Sequence, residues 1–363
     1  MPLRGRSGPV AETSHAIAAT GPYRAPRWLP GGHAQTIWPW FIAQAPVRWR
    51  REIVATPDGD RWAFDWLDAP ARDGAPLVVL FHGLEGGALS PYAVALMEDL
   101  AGRGWRGVVP HFRGCGGLDN RLPRAYHMGD HEEIAAMLAA VRERVDARTT
   151  IHAMGVSLGG SALLNWLGRA GAAAAALVAR AAAVSAPHDI VAAGHALDRG
   201  ANRFYGYVFL RTLNPKARAL AARHPEVLDP SSVRRYRTMH AFDNAVTAPL
   251  HGFANTQDYW TRASAKPWLA HIALPTLVLN ARNDPFIPAD SLARGDEVAA
   301  PVVLEQPAQG GHAGFVTGPF PGRLPWLPRR LMAWFEGGAA APVSSTPAAA
   351  VGDGPLAPDP APR

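Results

Sequence analysis

Runs of uninterrupted apolar residues alternate with helical periodicities along most of this chain. Leu77–Phe81, LVVLF, is apolar at every position, which predicts a strand buried on both faces. Pro91–Arg103 reads as the helix that follows, and residues 107–110 as the next short strand. Ile134, Met137, Leu138 and Val141 recur at three- and four-residue spacing, so residues 130–145 predict a helix with one apolar face. Further strands are expected at 149–154, at about 181–185, at 275–280 and at 301–306. Residues 51–56 and 61–67 alternate instead, and Pro57-Asp58-Gly59-Asp60 between them is a turn signal, so they predict an antiparallel hairpin. Strand and helix in alternation imply an α/β fold with a mainly parallel central sheet, flanking helices and right-handed crossovers. Functional loops of such a sheet lie at the carboxyl ends of its strands.

The alternation stops between about 189 and 270, where helical or irregular sequence carries Phe204, Tyr205, Tyr207, Phe209, Phe242, Phe253, Tyr259 and Trp260. Inserted after the sixth strand, this stretch is expected to form a helical cap that roofs the site and offers an apolar wall, although most of its rings serve the cap's own packing. Residues 1–22 and 337–363 are rich in Pro, Ala, Gly and Ser and predict disordered tails around one domain at 23–336. Residues 28–40, WLPGGHAQTIWPW, read as a turn-rich packing lid over the sheet edge, with His33 near the site mouth as the sharper alternative.

Composition narrows the class. A single cysteine, Cys115, excludes an internal disulfide framework, and without a cysteine cluster no structural zinc site is expected. The formal charge of +6 rests on arginines spread along the chain, with only Lys216 and Lys266 as lysines. That is compositional bias, so no nucleic-acid partner is expected; Arg234-Arg235 reads as solvated surface. The N-terminal residues lack an apolar core of signal-peptide length, which makes the cytoplasm the default location. Residues 171–186 are interrupted by Arg180 and too short for a bilayer span. Basic charge and cap aromatics permit peripheral membrane contact without requiring it.

The candidate chemistry centres on Gly155-Val156-Ser157-Leu158-Gly159, a G-x-S-x-G run between an expected strand and a helix beginning at Leu158. Glycine tolerates the close contacts of such an elbow, so Ser157 is the candidate nucleophile. A serine hydroxyl needs a neutral imidazole to take its proton. Of 14 histidines, His312 lies in a glycine-rich loop, Gln309-Gly310-Gly311-His312-Ala313-Gly314, directly after an expected strand. Asp284, after the strand at 275–280, is the expected third member, with Asp189 one strand earlier as the alternative. Two backbone amides must hold the tetrahedral oxyanion, and Leu158 and Leu84 are the expected donors. His82, before a glycine turn, is expected to fix its loop. Arg113–Gly117 lacks the features of a phosphate loop and reads as a rim turn. His127, Asp130 and His131 do not complete a metal-ligand set, so neither metal nor cofactor is expected.

Taken together, LPGGHAQTIWP at 29–39, FHGLEGG at 81–87, HFRGCGG at 111–117, GVSLGG at 155–160, FDNAVTAPLHGF at 242–253 and NDPFIP at 283–288 resemble an α/β-hydrolase of the YheT-like branch. The resemblance runs from about Trp28 to Phe335. It implies serine hydrolase chemistry on carboxylic esters, with Ser157, Asp284 and His312 in the charge-relay positions. The aromatic cap points to esters of short or medium acyl groups, or to lipid-like esters, as the expected substrates. The same residues would serve an acyltransferase or thioesterase, or stand unused in a non-catalytic binding protein.

Overall fold

Within the first parallel strand, neighbouring side chains part to opposite faces. In β3 (Leu77–Phe81), Leu77, Val79 and Phe81 join one buried cluster while Val78 and Leu80 join another. This period-two division explains why the run is apolar throughout, because helices cover both sides. The structure, a computed structural model, describes residues 21–231, 233 and 235–337. The expected tails, but for residues 21, 22 and 337, fall outside them, as does Arg234.

A short helix, α1 (Gly32–Ile37), precedes the sheet. Strands β1 (Trp49–Ala55) and β2 (Arg61–Leu67) form the antiparallel hairpin, closed by the Thr56–Asp60 turn. Then α2 (Pro91–Arg103), β4 (Arg106–Pro110), α3 (His131–Arg142), β5 (Ile151–Val156), α4 (Leu158–Ala170) and β6 (Arg180–Val184) alternate as expected. After β6 come α5 (Ile190–Leu197), the long α6 (Arg203–Arg223), a broken helical run at 239–250 and α7 (Thr256–Ala263). Strands β7 (Thr276–Leu279) and β8 (Val302–Glu305), with α8 (Trp326–Phe335), complete the fold. The sheet order is β1-β2-β4-β3-β5-β6-β7-β8, with β4 to β8 parallel and β1 and β2 antiparallel at one edge.

One face is packed by Ile134, Met137, Leu138 and Val141 of α3 with Leu163, Leu164 and Leu167 of α4. The other is packed by Leu96, Met97 and Leu100 of α2 with Leu331, Trp334 and Phe335 of α8. Truncating one of these leucines to alanine would cost about 2–5 kcal/mol. Helix α3 begins where it does because the buried Asp130 carboxylate accepts the Glu133 amide as an N-cap. Between β6 and β7 the helical residues gather their own small core around Leu197, Leu210, Leu213 and Phe242. Residues 171–186, the most apolar stretch, divide into a 3-10 helix (Gly171–Ala176) and β6. No helix of the described residues is long and apolar enough to cross a membrane.

Candidate active site

Ser157 stands between β5 and α4 with φ 54° and ψ −119°, a conformation that side chains with a Cβ rarely adopt. The turn is tight because its neighbours are glycines. A methyl group at Gly155 would lie 2.3 Å from the Gly159 carbonyl oxygen, and one at Gly159 would lie 2.4 Å from that of Phe81. The other non-glycine residues with positive φ are Glu85, Ser185, Ala313 and Phe315. Among the described residues, then, every such position follows the carboxyl end of β3, β5, β6 or β8. Strain of this kind costs on the order of 1–3 kcal/mol per residue and gathers where function over-determines the backbone.

The parallel register sets the remaining geometry. Val156, Val184 and Leu279 are cross-strand partners at the ends of β5, β6 and β7, so the loops after them open on one rim. The loop after β7 carries Asp284 and that after β8 carries His312, and His312 Nδ1 lies 2.8 Å from Asp284 Oδ2. An ionised carboxylate only accepts, so Nδ1 carries the proton and Nε2 keeps its lone pair. The Phe286 ring lies 4.3 Å from the imidazole, centroid to centroid. On the Ser157 side, the serine amide donates to Val184 O, and the next residue, Ser185, accepts the Ala313 amide on its Oγ at 2.9 Å. Ser157 and the neighbour of His312 thus bond to adjacent residues, Val184 and Ser185. Among the described residues no hydrogen bond joins the Ser157 hydroxyl to the ring.

Leu84 and Leu158 flank the serine. A methyl group at Gly83 would lie 3.2 Å from Ser157 Cβ and 3.8 Å from Oγ, so the loop after β3 packs directly on the nucleophile candidate. In that loop Gly83 N–H donates to Tyr92 Oη and Glu85 N–H to Tyr126 Oη. The Leu84 amide between them has no partner among the described residues. Leu158, first residue of α4, has no carbonyl one turn back to accept its N–H. The Glu85 carboxylate is fixed in turn by Tyr126 Oη at 2.9 Å and by Lys216 Nζ at 2.7 Å, the latter reaching down from α6. A pocket of about 100 Å³ opens between Leu84 and Leu158 below and Leu213, Phe242 and Val246 of the cap above.

Several polar residues serve structure instead. His82 is fully buried, its Nδ1 donating to Gly83 O and its Nε2 accepting the Phe112 amide; burial pushes it down to about 3. Asp189, the alternative acid, caps α5 through the Ala192 amide. Arg113 is buried in an ion pair with Glu133, and Burial pushes the Cys115 thiol up to about 11. His127 packs among His251, Phe253 and Tyr259.

Sequence reasoning passed over one group. Residues 28–40 sit on the loops after β7 and β8, and Gln35, fully buried, joins the two. Its Oε1 accepts from Asn283 Nδ2 and the Gly310 amide, and its Nε2 donates to Leu29 O and Gln309 Oε1. Thr36 Oγ1 accepts the His312 amide itself. The approach is close: a methyl group at Gly311 would lie 2.8 Å from the Gln35 carbonyl carbon, and one at Gly314 would lie 2.1 Å from its oxygen. The available signal was an amide and a hydroxyl inside an otherwise apolar, glycine-led segment. His33 stacks on Tyr205 of the cap, Nδ1 to Oη 3.0 Å.

A strained serine elbow, an acid–histidine pair and a mainly parallel sheet define an α/β-hydrolase, and residues 76–319 match the alpha/beta hydrolase fold family, to which the chain belongs. Within it the chain falls in the YheT-like branch. It is 36% identical over 289 residues to Escherichia coli (strain K12) YheT, named as a candidate esterase, covering 79% of this chain and 84% of that one. It is 28% identical over 327 residues to the phospholipase ABHD3 of Mus musculus, covering 87% and 78%. Among solved structures, the Pyrococcus furiosus esterase Pf2001 shares the fold with a TM-score of 0.51 at 13% identity, covering 80% of this chain and 91% of that one. The chain is a hydrolase of the esterase and lipase type.

Proposed function

We propose that the protein is a serine carboxylesterase that works through an acyl-enzyme. Asp284 holds the His312 ring with Nδ1 protonated, and Nε2 takes the proton from Ser157 Oγ as it attacks the ester carbonyl. The Leu84 and Leu158 amides receive the negative charge on the carbonyl oxygen. His312 then returns the proton to the leaving alcohol, and water hydrolyses the acyl group by the same route. Catalytic hydrogen bonds of free enzymes are commonly long and tighten around substrate, so the unmade bond between serine and imidazole accords with this sequence of steps.

The observation that carries the reading is the 2.8 Å Asp284–His312 contact, on loops after strands whose carboxyl ends open on the same rim as that of β5, which Ser157 follows. Relatives named as an esterase and a phospholipase support an ester as the substrate. The pocket of about 100 Å³ is small beside the ~300–1,000 Å³ of common ligand sites. It suits a short acyl group, and longer chains require the cap to move. Ser157→Ala is the test. It should lose about 10³-fold or more of the hydrolysis of short p-nitrophenyl esters, and all labelling by a fluorophosphonate, while melting as the unsubstituted protein does. Hydrolysis at the unsubstituted rate would refute the assignment.

A further inference from the structure

Helix α6 has two working faces. Leu213, Ala217 and Leu220 look into the pocket beside Leu84 and Leu158, whereas Arg203, Phe204, Tyr207, Arg211 and Arg218 line a separate groove on the outer face of the helix. That groove has a volume of about 780 Å³, and Arg235 and Arg237 close its other side. Some arginines elsewhere find acids: Arg51 pairs with Asp65, Arg103 with Asp99, Arg113 with Glu133, Arg144 with Glu52 and Arg330 with Glu305. None of the five groove arginines has a carboxylate partner among the described residues. Five like charges held around one concavity repel one another, so the groove is complementary to an anionic surface.

The apolar residues choose among anionic partners. Phe204 is 59% exposed, Tyr207 50% and Val208 43%, on the same turns as Arg203 and Arg211. Large rings left in water beside guanidinium groups match the boundary between lipid head groups and acyl chains, where rings bury apolar area and arginines meet phosphates. Exposed rings recur on the neighbouring segment, where Trp40 and Phe41 are 66% and 71% exposed, and on Phe320, 69% exposed and packed against its Trp38. That segment touches α6 through the His33–Tyr205 pair. We propose that the outer face of α6, through Arg203, Arg211, Arg218, Arg235 and Arg237 with Phe204 and Tyr207, docks the protein on an anionic phospholipid surface. Docking there leaves the pocket one helix thickness from the lipid.

The test is a binding measurement, so it is separate from the hydrolytic reading. The full chain carrying Ser157→Ala is co-sedimented with phosphatidylglycerol/phosphatidylcholine vesicles and with phosphatidylcholine vesicles alone, at low and high salt. Binding should need the anionic lipid and weaken with salt. The triple variant R203E/R211E/R218E should lower partitioning about tenfold or more, and Phe204→Ser with Tyr207→Ser should lower it several-fold at fixed charge. Thermal melts report whether each variant folds; if the triple variant does not, Arg211→Gln and Arg218→Gln carry the comparison singly. Equal binding to both vesicle types, no binding to either, or unchanged binding by the variants would overturn the proposal. So would loss of vesicle binding to competing duplex DNA with no effect of the ring substitutions, which would make the groove a general polyanion site.

Discussion

At the residue scale, Gln35 makes the clearest claim on its surroundings. It satisfies two donors and two acceptors from inside a fully buried position, and its donors Asn283 and Gly310 belong to the loops that carry Asp284 and His312. Replacing it with leucine leaves the buried Gly310 N–H without an acceptor, at about 1–3 kcal/mol, and takes one acceptor from the half-buried Asn283 amide. Gln35→Leu should therefore lower stability and, by loosening the two loops against each other, lower kcat about tenfold or more with KM little changed. Gln35→Glu keeps the acceptor for Asn283 and Gly310 but loses both donors, and should fall between. Steady-state kinetics beside thermal melts separate the two effects; a Gln35→Leu protein with the original kcat would show that the amide only holds the fold. The placement of Ser157 and His312 on loops after strands was legible in the sequence because glycines flank them and strands precede them. Gln35 was not, since its partners Asn283 and Gly310 are 248 and 275 residues away and chain-local patterns carry no trace of such contacts.

Elements come next. The strands were legible because burial on both faces leaves contiguous apolar runs, and ends drifted by a residue or two where burial continues past the ladder: the strand expected at 275–280 runs Thr276–Leu279 with Asn280 still buried. The cap was legible only as a loss of alternation, and what α6 does from that position was not. Lys216 projects from it to Glu85, whose own amide and carboxylate are held by Tyr126 one residue after Leu84. Helix α6 thereby grips the loop that carries the Leu84 amide. Because the Lys216 side chain is 42% exposed, the pair adds less than about 1 kcal/mol to stability. Its effect should fall on rate: Lys216→Met and Glu85→Gln should each slow fluorophosphonate labelling of Ser157 several-fold while melting normally. The double variant should be no slower than either single one, because both remove the same grip. Additive losses in that cycle would separate Lys216 from the loop.

The whole molecule carries an acid sensitivity in its core. His82, His127, His152, His188 and His251 are all held neutral, chiefly by burial, with His82 and His127 pushed down to about 3 and His152 and His188 to about 4. In the unfolded chain each would titrate near 6.5. The folded-state values lie below the unfolded ones, so the unfolded chain takes up these protons first and stability falls as pH drops through about 6.5. Each such histidine steepens the fall by about 1.4 kcal/mol per pH unit. Asp243 acts in the opposite direction: burial raises it to about 6, so the folded chain binds its proton first and regains part of the loss. His152 isolates the effect, because it stacks between Trp105 and Phe335 on the face of the sheet covered by α2 and α8, with centroids 5.8 and 4.9 Å away. His152→Phe keeps the ring stack and removes the proton site. Urea unfolding between pH 7.5 and 4.5 should then give a shallower loss of stability, by about one proton's slope, with the two proteins alike above pH 7. Parallel curves over that range would mean that His152 is not kept neutral by the fold.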